Sequence, residues 1–178
     1  MQRIFSRIGR LVRHRWAELY LSQRIPPLLL DQLEALITAS EQHHTGQLRI
    51  CIEAGLPWSY IWRDASARER ALSLFGKLRV WDTEDNNGAL IYLLLADHAI
   101  EVVADRALHR RVSASEWQAV LQGVQQDFRR NAYADGLAAV LERLSSLLVQ
   151  GFPRSDSGAR EDDLPNAPVV QGRIFKDL

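Results

Sequence analysis

One cysteine in the whole chain excludes an internal disulfide, and Cys51, set in the apolar run LRICIEA, reads as a small buried hydrophobe of a reducing compartment. Nothing in that run suggests a lowered thiol pKa, so a cysteine nucleophile is not expected. Long apolar stretches are missing as well: none approaches the roughly 18 residues a membrane span requires. At the N-terminus, arginines are interleaved with hydrophobes where a secretory signal would carry a basic cap, an apolar core and a small-residue cleavage site. The expected compartment is the cytoplasm. Net charge is also lacking, because 22 basic and 22 acidic side chains cancel. The global field therefore offers nothing to a polyanion, and nucleic-acid binding is not expected.

The common catalytic signatures are absent too. There is no Gly-x-Ser-x-Gly elbow and no phosphate-cradling loop ending in Gly-Lys-Ser/Thr, and WDTEDN lacks the second aspartate of aspartyl-nucleophile phosphatases. Glu41, His43 and His44 could contribute to a zinc site, but adjacent histidines on a helix point in different directions and no Cys or His cluster completes a tetrahedral set. They read as a polar helix end.

What is present fits one compact domain of 178 residues with uneven charge. Residues 1–24 carry Arg3, Arg7, Arg10, Arg13, Arg15 and Arg24 against a lone Glu18, whereas residues 155–163 are acidic and poor in apolar groups. Ile4, Ile8, Leu11, Val12, Trp16, Leu19 and Tyr20 recur at the spacing of one helix face, which makes the first segment a basic amphipathic helix. Two placements are open to it. The apolar stripe docks on the chain's own core, the reading adopted here, or residues 1–24 lie on an anionic membrane as a peripheral contact.

Pro26-Pro27 ends that helix, and a second, with Leu29, Leu33, Leu36 and Ile37 as its apolar positions, runs toward Gly46. QLRICIEA alternates as a strand, and GLPWSYIW leaves it as a loop. There Trp58, Tyr60 and Trp62 either cover the core edge, as we read them, or form a partner-binding patch. Ser66 and Glu69 make a capping box opening a helix that buries Leu72, Phe75 and Leu78. GALIYLLLA is a continuous apolar run, as for an interior strand, and AIEVVA follows an Asp97-His98 turn as its antiparallel partner. A second capping box, Ser113 and Glu116, opens a helix carrying Trp117, Val120, Leu121, Val124 and Phe128. One more amphipathic helix, with Leu137, Val140, Leu141, Leu144 and Leu148, is stopped by Gly151 and Pro153. RSDSGAREDD then reads as a mobile linker, and LPNAPVV docks back by burying Leu164 and Val169. Strand, helix, strand implies a right-handed crossover and a parallel pair, to which the hairpin adds an antiparallel neighbour. The expected class is α/β: a small mixed sheet of about four strands in a three-layer αβα sandwich, plus the N-terminal amphipathic helix.

The hairpin also suggests a site. Folding back at Asp97-His98 carries Asp105 to the rim where Gly88 begins the ladder, gathering Asp82, Glu84, Asp85, Asn87 and Asp105 at one mouth of the sheet. Oxygens on loops suit a hard cation, calcium or magnesium, which takes several oxygen ligands at irregular spacing. The stretch is not an EF-hand, because Thr83 stands where the first acid belongs and Leu94 where the last glutamate belongs. The competing reading is a tight turn at Asn86, Asn87 and Gly88 with solvated acids.

The motifs SEQHHTGQLRICIE, SARERALSLFGKLRVWDTEDNNGALIYLLLADHAIEVVADR, SASEWQAV, FRRNAYADGLAAV and a closing FP, in that order, resemble the TPM-domain family. That family includes thylakoid-lumen repair proteins and YgcG-like bacterial envelope proteins, and the likeness is greatest to a shorter, soluble bacterial branch. It runs from about Leu28 to Pro153. It implies helices around a mixed four-stranded sheet, divalent cations at acidic loops in some members, and acid phosphatase activity attributed to some plant members. The chain departs from secreted members after the hairpin, where ADRALHRRVSAS replaces a glycine-rich turn and a following aspartate. The expected layout is a basic helix over 1–25, a TPM-like domain over 26–153, and a linker and tail over 154–178. The expected role is a non-enzymatic interaction module for an unidentified protein partner, with the cation site. The alternative is a metal-assisted, acid phosphatase-like hydrolase in which a cation at Asp82, Asp85 and Asp105 polarises a phosphoryl oxygen and Arg106 steadies the charge.

Overall fold

The computed structural model describes residues 2–154 and 164–172, with side chains described from residue 8 onward. Four strands, β1 (Leu48–Glu53), β2 (Ala89–Leu94), β3 (Ala99–Ala104) and β4 (Val169–Gln171), form one sheet in the order β3-β2-β1-β4. β1 runs parallel to β2 and to β4, while β2 and β3 form the antiparallel hairpin. β2 is interior and buried along its whole length, the reason its sequence is a continuous apolar run rather than an alternation.

Alternating side chains build two cores. Leu48, Ile50, Ile52, Ala89, Ile91 and Leu93 face one layer of helices: α2 (Leu21–Arg24), α3 (Pro27–Glu41), α6 (Arg106–Arg111), α7 (Ala114–Leu121), α8 (Val124–Arg129) and α9 (Tyr133–Gly151). Cys51, Leu90, Tyr92 and Leu94 face the other layer, α4 (Trp58–Trp62) and α5 (Ala67–Lys77), with Leu11 of α1 (Gln2–Leu19) at its margin. The result is the expected αβα sandwich with a mixed four-stranded sheet. Both capping boxes form as expected, Ser66 with Glu69 and Ser113 with Glu116.

The fourth strand comes from the C-terminal segment. Leu164 is buried and its N–H donates to Gln47 Oε1, Arg49 donates to the Pro165 carbonyl, and the chain then pairs with β1 through Cys51↔Val169. Val169 is half-buried at that edge. The linker expected over RSDSGAREDD lies, for 155–163, outside the described residues.

Several local expectations need correction. GLPWSYIW contains the short helix α4, whose single turn is too brief to show a period. α5 buries Arg70, Ala71 and Leu74, leaving Leu72 exposed and Phe75 and Leu78 half-buried, because the inward face carries an arginine that has a buried partner. In α3, Leu36 is exposed while Leu29, Leu33 and Ile37 are buried. The helix expected across Trp117 to Phe128 is two, broken at Gly123, whose φ of +81° is a left-handed conformation that side chains other than glycine rarely adopt. Val120, Val124 and Phe128 are buried all the same. α6 follows β3 directly, capped by Asp105. Most consequential, the apolar stripe of α1 is turned outward: Ile8, Val12, Trp16, Leu19 and Tyr20 are exposed, whereas His14 is buried.

Candidate functional site

In a parallel pair, the residues preceding the two strands share one edge. The Gln47 carbonyl accepts from Ala89 N–H at 2.8 Å, so Thr45, just before β1, meets the turn just before β2. The hairpin brings the far end of β3 to the same place: Asp105 N–H donates to the Gly88 carbonyl at 2.8 Å, and Ala107 N–H to the Asn86 carbonyl at 3.0 Å. Gly88 is required there by space, since a Cβ would overlap the Val80 carbonyl oxygen. Asn86 takes the left-handed φ of +52° that turns the chain into β2.

Side chains knit this rim together. Asn87 N–H donates to Thr83 Oγ1 at 3.2 Å, Asn87 Nδ2 donates to Thr45 Oγ1 at 3.2 Å, and the Thr45 hydroxyl donates to Asp85 Oδ2 at 3.0 Å. Asp105 Oδ1 caps α6, accepting from Arg106 N–H at 2.6 Å. Two oxygens are left over. Asn87 Oδ1 and Asp105 Oδ2 are fully shielded from solvent, in residues 0% and 5% exposed, and have no hydrogen-bond partner among the described residues. Buried oxygens of this kind are rare in folded proteins, and each calls for an explanation.

Of the five residues singled out from the sequence, the fold brings Asp85, Asn87 and Asp105 to one rim. Asp82 and Glu84 are exposed, as Asp85 is, but only Asp85 is tied to the rim by the Thr45 hydroxyl, and among the described residues no group of three or more His, Cys, Asp or Glu could by itself hold a metal. The donor set available is therefore mixed, carboxylate with amide and hydroxyl. Sequence reasoning missed Thr45, which only the β1–β2 register could have indicated. Beside the rim lies a shallow hollow of about 370 Å³ lined by Asp85, Asn86, Arg106, Ala107 and Arg110, with Arg106 Nε 3.9 Å from Asp105 Oδ1.

His44 and Glu41 are engaged within the fold, and Cys51 is inert. His44, considered above with Glu41 and His43, donates from Nδ1 to the Gly46 carbonyl at 3.0 Å, leaving Nε2 to accept from Ser40, 2.7 Å away. Glu41 Oε1 accepts from Leu48 N–H at 2.8 Å. Burial, then the Glu53 charge, pushes the Cys51 thiol up to about 12, so it stays protonated and inert.

At the opposite, carboxyl end of β1 lies a feature the sequence did not reveal. Arg70 and Glu53 form a bidentate pair at 2.6 and 2.9 Å, with Tyr92 donating to Glu53 Oε2 at 2.6 Å and Arg70 donating to Gln171 Oε1 at 2.9 Å. Burial and then the Glu53 charge hold the Tyr92 phenol well above its ordinary range.

Among the described residues, no helix is long and apolar enough to cross a membrane. No curated protein matches the chain in sequence. The solved structure of BA42 protein from the psychrophilic bacterium Bizionia argentinensis is similar, with 22% identity and a TM-score of 0.70 over 80% of this chain and 92% of that one. At that identity the likeness speaks for the fold. The model of the TPM domain matches residues 25–147, from the start of α3 through most of α9 and across the whole acidic rim. The chain belongs to the TPM domain family.

Proposed function

We propose that this TPM-domain protein is a non-enzymatic interaction module for another protein, with a rim that holds a divalent cation, calcium or magnesium, through Asp85, Asn87 and Asp105. The observation that carries the reading is the pair of buried oxygens, Asn87 Oδ1 and Asp105 Oδ2, left without a hydrogen-bond partner on adjacent stretches of the β2–β3 mouth. Leaving a buried polar atom unpaired costs about 1–3 kcal/mol, more for a charged group, so two at one place favour a ligand that satisfies both. Their chemistry, one carboxylate and one amide oxygen with the Asp85 carboxylate and the Thr45 hydroxyl nearby, fits a hard oxygen-seeking cation. A non-catalytic role accords with the engagement of the candidate nucleophiles and bases described above.

Amide NMR during calcium or magnesium titration is expected to shift residues 85–88 and 105–107. Asp105→Asn, which keeps the helix cap while removing the charge, is expected to weaken the response at least tenfold with an unchanged melting curve. Silence of those amides at millimolar metal would remove the cation from the proposal.

A second reading is favoured by one observation. Arg106 and Arg110 line the hollow beside Asp85, a pairing of cations and acid that could seat a phosphoryl group next to a metal. A bound cation would supply Lewis-acid polarisation there, and the two guanidiniums would bind and orient phosphoryl oxygens. On that reading, purified protein with added magnesium or calcium cleaves a generic aryl phosphate between acid and neutral pH, and Arg106→Ala loses at least tenfold in kcat/KM. An aryl phosphate left intact across that range with either metal excludes the hydrolase.

A further inference from the structure

Amphipathic helices in soluble proteins turn their apolar stripe inward. α1 does the reverse. Its inward side is polar: the Leu56 N–H donates to His14 Nδ1 at 2.9 Å, and His14 Nε2 lies 3.2 Å from Asp97 Oδ1. Arg10 reaches Asp64 at 2.8 Å and Asp97 at 3.3 Å, and Arg13 reaches Asp97 at 2.5 Å. Close backbone approach reinforces the docking, since a Cβ on Gly55 would run into the His14 carbonyl. The helix is thus fixed to the body by ions and hydrogen bonds, with Ala17 and half-buried Leu11 as its apolar contacts.

What it presents to solvent is a row of Ile8, Val12, Trp16 and Leu19, each about half exposed or more, ending at Tyr20. α4, which packs against α1, adds Trp58 and Trp62, exposed and stacked with ring centroids 5.7 Å apart. The sequence reading placed these tryptophans on the core edge; they stand outside it. Exposed apolar side chains gathered on two packed helices mark an interaction site.

The geometry points to an anionic lipid bilayer surface as the occupant. Tryptophan and tyrosine concentrate where an apolar layer meets a polar one, and Trp16, Tyr20, Trp58 and Trp62 would all stand at that boundary. Arginines flank the stripe on both sides: on the helix, Arg13 and Arg15 fall on opposite edges of the Ile8–Val12–Leu19 row, both side chains about half exposed, Arg13 paired with Asp97 and Arg15 with Glu18 at 2.9 Å. Residues 1–24 contain six arginines and one glutamate, while the acids that balance Arg10 and Arg13 lie on the body side. The outer face is therefore apolar, on a segment whose sequence keeps an excess of arginine over acid, complementary to acyl chains beneath acidic headgroups.

The experiment uses the full-length protein and sedimentation with vesicles of phosphatidylcholine alone or with added phosphatidylglycerol, in chelator so that metal bridging at the acidic rim plays no part. Binding to the anionic vesicles is expected to exceed binding to the neutral ones at least fivefold and to fall as salt is raised. The triple variant Ile8→Ser, Val12→Ser, Leu19→Ser changes only exposed side chains and is expected to keep its thermal melt while losing at least tenfold in vesicle binding. Equal retention by both vesicle types, or by both proteins, overturns the proposal. So does a concentration-dependent dimer in light scattering that the triple variant abolishes, because the face would then be a contact between copies.

Discussion

Arg70→Ala is expected to lower stability by about 3–5 kcal/mol, the usual result of removing one partner from a buried ion pair. The Glu53 and Arg70 side chains are 4% and 6% exposed, and the carboxylate oxygens accept from both guanidinium nitrogens and from Tyr92. Without Arg70, a carboxylate stays in the apolar layer between β1 and α5 with a phenol as its main remaining support. In a domain of this size that corresponds to a drop in Tm of roughly 6–20 °C, readable by circular dichroism. Removing the charges together, as in Glu53→Leu with Arg70→Met, is expected to recover most of the loss, since desolvating two ions roughly offsets their attraction. A single variant within about 1 kcal/mol of the wild type would show that the pair is far better solvated than its burial implies.

Acidification supplies the second large effect. Burial, and to a lesser degree the charges of His43 and Arg154, lowers the His44 pKa from 6.5 to about 4, against the opposing pull of the Gly46 carbonyl. The folded state therefore binds the proton less readily than the unfolded chain, and stability falls as pH drops from 6.5 toward 4. The gap amounts to roughly 3 kcal/mol at about 1.4 kcal/mol per pH unit. Denaturant midpoints should decline across that window, and the His44 ring resonances should titrate near 4. An ordinary midpoint near 6.5 would contradict the assignment. Asp97 acts lower on the scale: burial pushes its carboxyl up, but His14 and Arg13 outweigh this and hold it well below the usual 3.8. Its stabilisation is present above 3.8 and is lost only as pH falls further, so the two windows separate.

The sheet was legible because its signals are local. A continuous apolar run marked β2 as interior, an alternating run marked β1, and Ser66 with Glu69 and Ser113 with Glu116 announced two helices at their first turns. The acidic mouth was partly legible for the same reason, because hairpin arithmetic alone carries Asp105 to Gly88. What escaped depends on partners distant in sequence. Periodicity finds the stripe on α1 but cannot tell that its polar side has matching acids at Asp64 and Asp97. The face of α5 was misread because Arg70 looks like a solvent residue until Glu53 is placed beneath it. Thr45 entered the rim only through the parallel register, which no composition or spacing specifies.

The late arrival of β4 bears on biosynthesis. The outer margin of β1 is sealed by a segment that also ties Leu164 to Gln47, 117 residues earlier in the chain. A ribosome making the protein must therefore release the chain as far as Gln171 before that flank is covered. Until then the nascent sheet carries a bare hydrogen-bonding border beside Cys51 and Ile52, the kind of border on which unwanted strand pairing begins.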